Sequence, residues 1–156
     1  ALFGIEGPSW LQSSKWAMPA IVLASVWKDM GYFGLMLMSG LQGINQEYYD
    51  AAAIDGAGKI KQFTRITLPL LTPTLFFVLI ISLINSFQLF TQIMIMTPDG
   101  GPLGSTMVMV ERIYKCGFRY YEMGTAAAYS WILFAILLLL TMVQMKLQNK
   151  WVNYDD

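Results

Sequence analysis

Three long apolar stretches, separated by two polar connectors, set the pattern of this chain. They cover residues 16–44, 70–98 and 125–145. Each is long enough to cross a bilayer, for which about 20 apolar residues suffice. The first is the least uniform. Lys28 and Asp29 lie inside it, Gly31 and Gly34 follow, and Pro19 sits near its start. With one end near Gln42, the charged pair falls in the half of the membrane away from that end. Charges at such depth commonly face a bundle interior or a water-filled path. Alternatively, Lys28 snorkels and Asp29 pairs nearby. The second stretch carries no charged residue. Its leading part, 75–83, suits lipid or helix packing, whereas Asn85, Ser86, Gln88 and Gln92 mark its trailing part. The spacing of Asn85, Gln88 and Gln92 predicts one shared helix face. Amides in a membrane need partners. The stripe therefore lines a path for a hydroxyl-rich solute or bonds helix to helix, and the pattern leaves both open. The third stretch begins narrow, with Ala126, Ala127, Ala128 and Ser130. It continues through Trp131 and the leucines 137–140, and Lys146, Lys150 and Trp151 anchor its end.

The connector at 45–69 reads as a short helix followed by a basic segment. Asn45 is placed to cap a helix over 46–55. Glu47 and Asp50 fall in or near its first turn, where the helix dipole favours carboxylates. Ala51, Ala52 and Ala53 keep its surface shallow, so another protein could approach the backbone closely. Gly56 can end it in a left-handed conformation that other residues resist. Lys59, Lys61 and Arg65 make the next segment basic, and Pro69 and Pro73 mark entry to the second apolar stretch. The other connector holds Asp99-Gly100 and Gly101-Pro102, both strong turn signals. A short interfacial helix is expected over 107–121, where Tyr114, Phe118, Tyr120 and Tyr121 suit a membrane boundary. Cys116 within it is read as a bystander.

Composition narrows the function classes. Hydrophobic residues make up 56% and charged residues 13% of the 156 positions, and mean hydropathy is +0.50. A soluble domain carries about 25% charged residues, so a membrane protein is indicated. Ten basic and ten acidic residues cancel, which removes the electrostatic case for nucleic-acid binding. With no histidine and one cysteine, an intrachain disulfide is excluded, and metal or haem sites and His-based nucleophile pairs are disfavoured. No Walker A loop is present, so ATP hydrolysis is not expected in this chain.

Asp50, Ala51 and Ala52, then three residues, Gly56, nine more, and Ile66-Thr67-Leu68-Pro69 resemble the cytoplasmic signature of ABC-importer permeases. That signature reads E-A-A, three residues, G, nine residues, I-x-L-P. Asp55-Gly56-Ala57 is similar to the D-G-A core of carbohydrate importers, and Gly100-Gly101-Pro102 with Ser105-Thr106 is similar to a segment on their outer face, near the docked solute-binding protein. The resemblance covers nearly the whole chain from Trp10-Leu11 onward and points to the maltose or glycerol-3-phosphate kind. Two departures are Asp50 for the usual glutamate and Asn45 where proline is common.

The resemblance implies an all-α, polytopic fold: about three spans forming the C-terminal portion, 1–156, of one transmembrane permease domain. The opening without methionine or signal peptide fits a piece of a longer protein. It further implies alternating access for a sugar in the bacterial or archaeal inner membrane. Asp50, Ala51, Ala52, Asp55, Gly56 and Ala57 would couple to a separate ATPase that binds the ATP. A second, different permease subunit, a solute-binding protein and membrane lipid complete the implied partners; no metal, cofactor or catalytic residue is implied. Orientation rests on the resemblance, because five basic residues on the signature side against four opposite do not decide it. A membrane enzyme would need clustered catalytic groups, and a merely structural subunit would not explain the signature spacing.

Overall fold

The computed structural model describes residues 9–152. Residues 1–8 and 153–156, and the side chains of the expected anchors Lys150 and Trp151, lie outside that description. The described residues are helices and turns, without strands. Helix α1 spans Ala17–Gln42, α2 Gln46–Ile54 and α3 Lys59–Gln62. A π-helical turn, Phe63–Thr67, leads into α4, Leu68–Leu70. Helix α5 spans Thr72–Phe87, α6 Thr91–Met96, α7 Met109–Tyr114 and α8 Met123–Trp151. A second π-helical turn, Lys115–Arg119, follows α7.

Helices α1 and α8 are each long and apolar enough to cross a membrane, and the bent pair Lys59–Leu70 plus Thr72–Phe87 supplies a third candidate. Only 6% of the apolar part of α1 and 11% of that of α8 are buried within the chain. Such helices keep their apolar faces covered by lipid or by further helices, as membrane bundles do. Helix α8 runs beyond the apolar stretch because Gln144, Lys146 and Gln148 are good helix formers.

The chain divides into two compact units, one of Ala1–Asp29 with Ile84–Leu138, the other of Met30–Leu83 with Leu139–Asp156. In the second unit α1 and α5 approach closely at Gly40. A Cβ there would lie 2.5 Å from Thr74 Oγ1, so no larger residue fits without displacement. The same unit holds the 60° bend between α4 and α5. Pro73 has no N–H for the carbonyl of Pro69. The Thr72 hydroxyl donates to that carbonyl instead, at 2.6 Å. The bend thus has an identified cause, and the backbone acceptor it frees is satisfied.

The structure departs from the expected second stretch at its far end. Helix α5 stops at Phe87, and the N–H of Gln88 makes its last bond, to Ile84 O at 3.1 Å. Leu89 and Phe90 are non-helical before α6 begins. Asn85 and Ser86 weaken the helix there, because their side chains compete for backbone groups. Hydropathy alone does not register such a break.

Candidate functional site

Helix α2 is fixed at both ends. The Asn45 side chain accepts from the N–H of Glu47 at 3.1 Å, a cap that satisfies one orphan donor of the first turn. At the other end Ala57 N–H bonds Ala52 O at 2.9 Å and Gly56 N–H bonds Ala53 O at 3.0 Å. This pair of bonds is the Schellman motif. It needs a left-handed residue, and Gly56 has φ +72°. Tyr49 anchors α2 sideways, its hydroxyl 2.9 Å from that of Thr67, which is buried. Gln62 Nε2 donates to Ala57 O at 3.1 Å and so ties α3 to the turn.

This bracing leaves one surface free. Asp50, Ala51, Asp55 and Gly56 are exposed, and Ala52 and Ala57 are half-buried. Asp50 Oδ1 accepts from Gln46 Nε2 at 3.3 Å, one turn back, which leaves its other oxygen available. The sequence reading missed the apolar residues around it. Ile54 is 88% and Ile60 83% exposed, and Phe63 is also exposed. These are large apolar side chains exposed on an otherwise polar connector. Their occurrence between charged residues in 54–63 was the signal available.

The span amides behave differently from expectation. Asn85 and Gln88 lie at the end of α5 and are exposed, but Gln92 belongs to α6, beyond the break at Leu89 and Phe90. The single helix face expected for the three does not form, because no continuous helix carries them. In α1, Lys28 Nζ lies 3.1 Å from Asp29 Oδ1, so the two charges neutralise each other along the span.

In the other unit, residues 97–106 fold on a small core of their own. Thr97 and Thr106, both buried, join hydroxyls at 2.8 Å, and Thr106 N–H bonds Gly100 O at 3.0 Å. Gly101, at φ +67°, lets this happen, since a Cβ would stand 2.6 Å from Thr106 Oγ1. The double glycine and the threonine thus belong to one turn. Asp99 accepts from Arg119 and lies 3.7 Å from Lys115, which ties the turn to the segment after α7. The Arg119 hydrogen bond and charge hold the Asp99 carboxyl below the usual carboxylate range against a smaller opposing effect of desolvation, and Lys115 adds a lesser pull in the same direction as Arg119. Cys116 is buried and free.

A family model described as "Binding-protein-dependent transport system inner membrane component" matches residues 1–154. The chain belongs to this family. Membership makes it an inner-membrane transport component, in agreement with its all-α build and apolar helices. The "Probable ABC transporter permease protein YesP" of Bacillus subtilis (strain 168) is 36% identical over 148 residues, covering 94% of this chain and 48% of the relative. The "sn-glycerol-3-phosphate transport system permease protein UgpA" of Pectobacterium atrosepticum is 37% identical over 154 residues, covering 97% of this chain and 52% of the relative. A crystal structure of a bacterial ABC transporter involved in the import of the acidic polysaccharide alginate superimposes with a TM-score of 0.83 at 22% identity. That match covers 96% of this chain and 52% of the neighbour, a likeness of fold. The chain spans about half the length of the curated relatives it matches.

Proposed function

We propose that this family member is the C-terminal part of a permease subunit in an ATP-driven importer, and that it moves a sugar or sugar-like solute by alternating access. The observation that carries this reading is α2, a short helix capped by Asn45, closed by a Schellman turn at Gly56 and braced through Tyr49. It presents Asp50, Ala51, Ala52, Asp55, Gly56 and Ala57 beside exposed Ile54. A small, rigid surface suits transmission of force from a separate ATPase, because a preorganised contact loses little entropy on binding. The neighbouring apolar side chains supply the burial such a contact needs.

In this reading the ATPase, on binding ATP, favours one of two conformations of the spans. A ligand shifts only an equilibrium whose states it binds unequally. The α2 surface and the tail after α8 face the cytoplasm, and residues 97–122 face outward, where a solute-binding protein delivers its cargo. A second permease subunit covers the apolar faces that α1 and α8 leave open. The solute is read as polyhydroxylated because relatives such as the glycerol-3-phosphate permease are named for such cargo. Asn85 and Gln88 are candidate contacts with it, and Gln92 contributes only from a separate helix.

The test is a crosslink. In the full-length permease carrying Cys116→Ser, a cysteine at Ala52 should crosslink to one placed in the ATPase cleft, with a yield that ATP changes. A cysteine at Ser105 should not. Crosslinking from Ser105 but not from Ala52 would invert the topology and end the proposal.

A further inference from the structure

The coupling reading leaves the charged cluster between residues 94 and 119 without a role. Four ionisable side chains meet there. Glu111, in α7, is 1% exposed, and its Oε1 lies 2.9 Å from Lys115 Nζ, one turn along the chain. Lys115 is itself buried and reaches Asp99, which also accepts from Arg119. Glu111 Oε2 is buried and has no hydrogen-bond partner. A buried carboxylate oxygen without a donor is costly, and each such atom in a folded protein calls for a cause.

Glu111 lines a cleft of about 360 Å³, together with Asp99, Lys115, Arg119, Tyr114 and Phe118. That volume lies within the range of small-molecule sites, roughly 300–1,000 Å³. Tyr114 and Phe118 form an aromatic wall, with ring centroids 5.5 Å apart and planes inclined by 31°. Phe90 backs Tyr114 at 5.1 Å. The cleft therefore combines a large apolar face with a few convergent polar groups.

We propose that this cleft binds a polyhydroxylated ligand, with one hydroxyl donating to Glu111 Oε2 and an adjacent hydroxyl oxygen accepting from Lys115. The Lys115 ammonium has three donors and two carboxylates near it, so one donor remains for an acceptor. A ligand must then offer a donor and an acceptor on neighbouring atoms and an apolar flank for the rings. A vicinal diol on a saccharide does this. A simple anion brings no donor for Glu111 and meets two carboxylates, whereas a simple cation meets Lys115 and Arg119. The two acids and two bases cancel, which favours a neutral guest over either. The site stands on this geometry alone; binding there requires neither ATPase coupling nor import.

The test uses the full-length permease in its assembled transporter, in nanodiscs and without the solute-binding protein. Saturation-transfer NMR would be recorded with methyl α-D-glucopyranoside, maltose and glycerol as probes. Saturable transfer from aromatic protons is expected with at least one probe. Glu111→Gln should weaken it about tenfold, as loss of a hydrogen bond to a charged group does. Phe118→Ala, at an exposed position, should weaken it severalfold with an unchanged melting midpoint. Arg112→Ala, whose side chain does not line the cleft, should bind as wild type. No saturable signal from any probe overturns the proposal, as does full binding in both cleft variants. Binding retained in those variants but lost in Gln88→Leu assigns the sugar to the span amides instead.

Discussion

Replacement of Gly56 isolates backbone conformation from packing at the proposed coupling surface. Gly56 sits at φ +72°, and no atom of the chain outside its neighbours comes within 4 Å of an added Cβ. A substitution there meets no steric barrier from the fold, so its cost is conformational. Non-glycine residues in the left-handed region cost about 1–2 kcal/mol, with β-branched residues worse off and asparagine better tolerated. A cost of that size lowers the population of the native turn by a factor of about 5–30. The two bonds that close the turn, from Ala57 and Gly56, are lost with it. In the proposed mechanism the signalling surface then frays, and ATP hydrolysis proceeds without proportionate uptake. The assay compares solute uptake and ATP turnover in vesicles for Gly56→Asn, Gly56→Ala and Gly56→Val in the full-length permease. Uptake per ATP should fall in that order, with normal membrane insertion throughout. Uncoupling by Asn equal to that by Val would refute the conformational argument, and wild-type coupling in Val would remove the turn from the mechanism.

Four further outcomes follow from the described contacts. Tyr49→Phe removes the hydroxyl contact with Thr67, a loss of roughly 1 kcal/mol, and should speed amide exchange in α2 about fivefold by mass spectrometry; unchanged exchange would show that the brace contributes nothing. Gly40→Val should reduce the yield of assembled complex on size-exclusion chromatography because of the clash at Thr74, and Thr74→Gly should restore part of it. Gln88→Leu should lower uptake with subunit stoichiometry intact if the amide meets solute; a loss of assembly instead would assign it to helix packing. The Asp99 carboxyl has a folded pKa depressed by Arg119, so its stabilising effect is present above the ordinary carboxylate pKa and is lost as pH falls through the lowered value. Carboxyl-detected NMR should place its titration midpoint below that of an ordinary aspartate, and Arg119→Gln should move that midpoint up toward the ordinary value. A midpoint that does not move would contradict the pairing.

The features legible in the sequence were those with a short-range cause. Asn45 and Gly56 signalled the ends of α2 because capping depends on one or two residues. The long apolar runs signalled α1 and α8 because a bilayer imposes a length. The end of α5 was not legible: residues 70–98 carry no charge, proline 73 lies near their start, and the helix breaks further on at a place without glycine or proline. The pattern that joined Gln92 to Asn85 assumed a continuity that local weakness at Asn85 and Ser86 ended. At the candidate coupling surface the small residues were anticipated. Ile54 and Ile60 were not, since exposure of an apolar residue depends on tertiary surroundings. Glu111 and Lys115 stand at helical spacing, yet only the fold shows that they are buried together and share a cleft with Asp99.

The bend after Leu70 determines which kind of motion can pass through this chain. Residues 59–70 form an arm of about 18 Å at 1.5 Å per residue. Pro73 denies that arm the backbone bond that would let it straighten into α5, and a hydroxyl occupies the vacated acceptor. In the proposed mechanism this elbow would act as a pivot, because a helix interrupted at proline lacks one rung of its hydrogen-bond ladder. A turn of about 10° at the elbow carries the tip of an arm that long through roughly 3 Å. In the proposed coupling mechanism, a push applied near Gly58 would reach the membrane as torque, and Pro73, which interrupts the helix, would be the residue that makes the conversion possible.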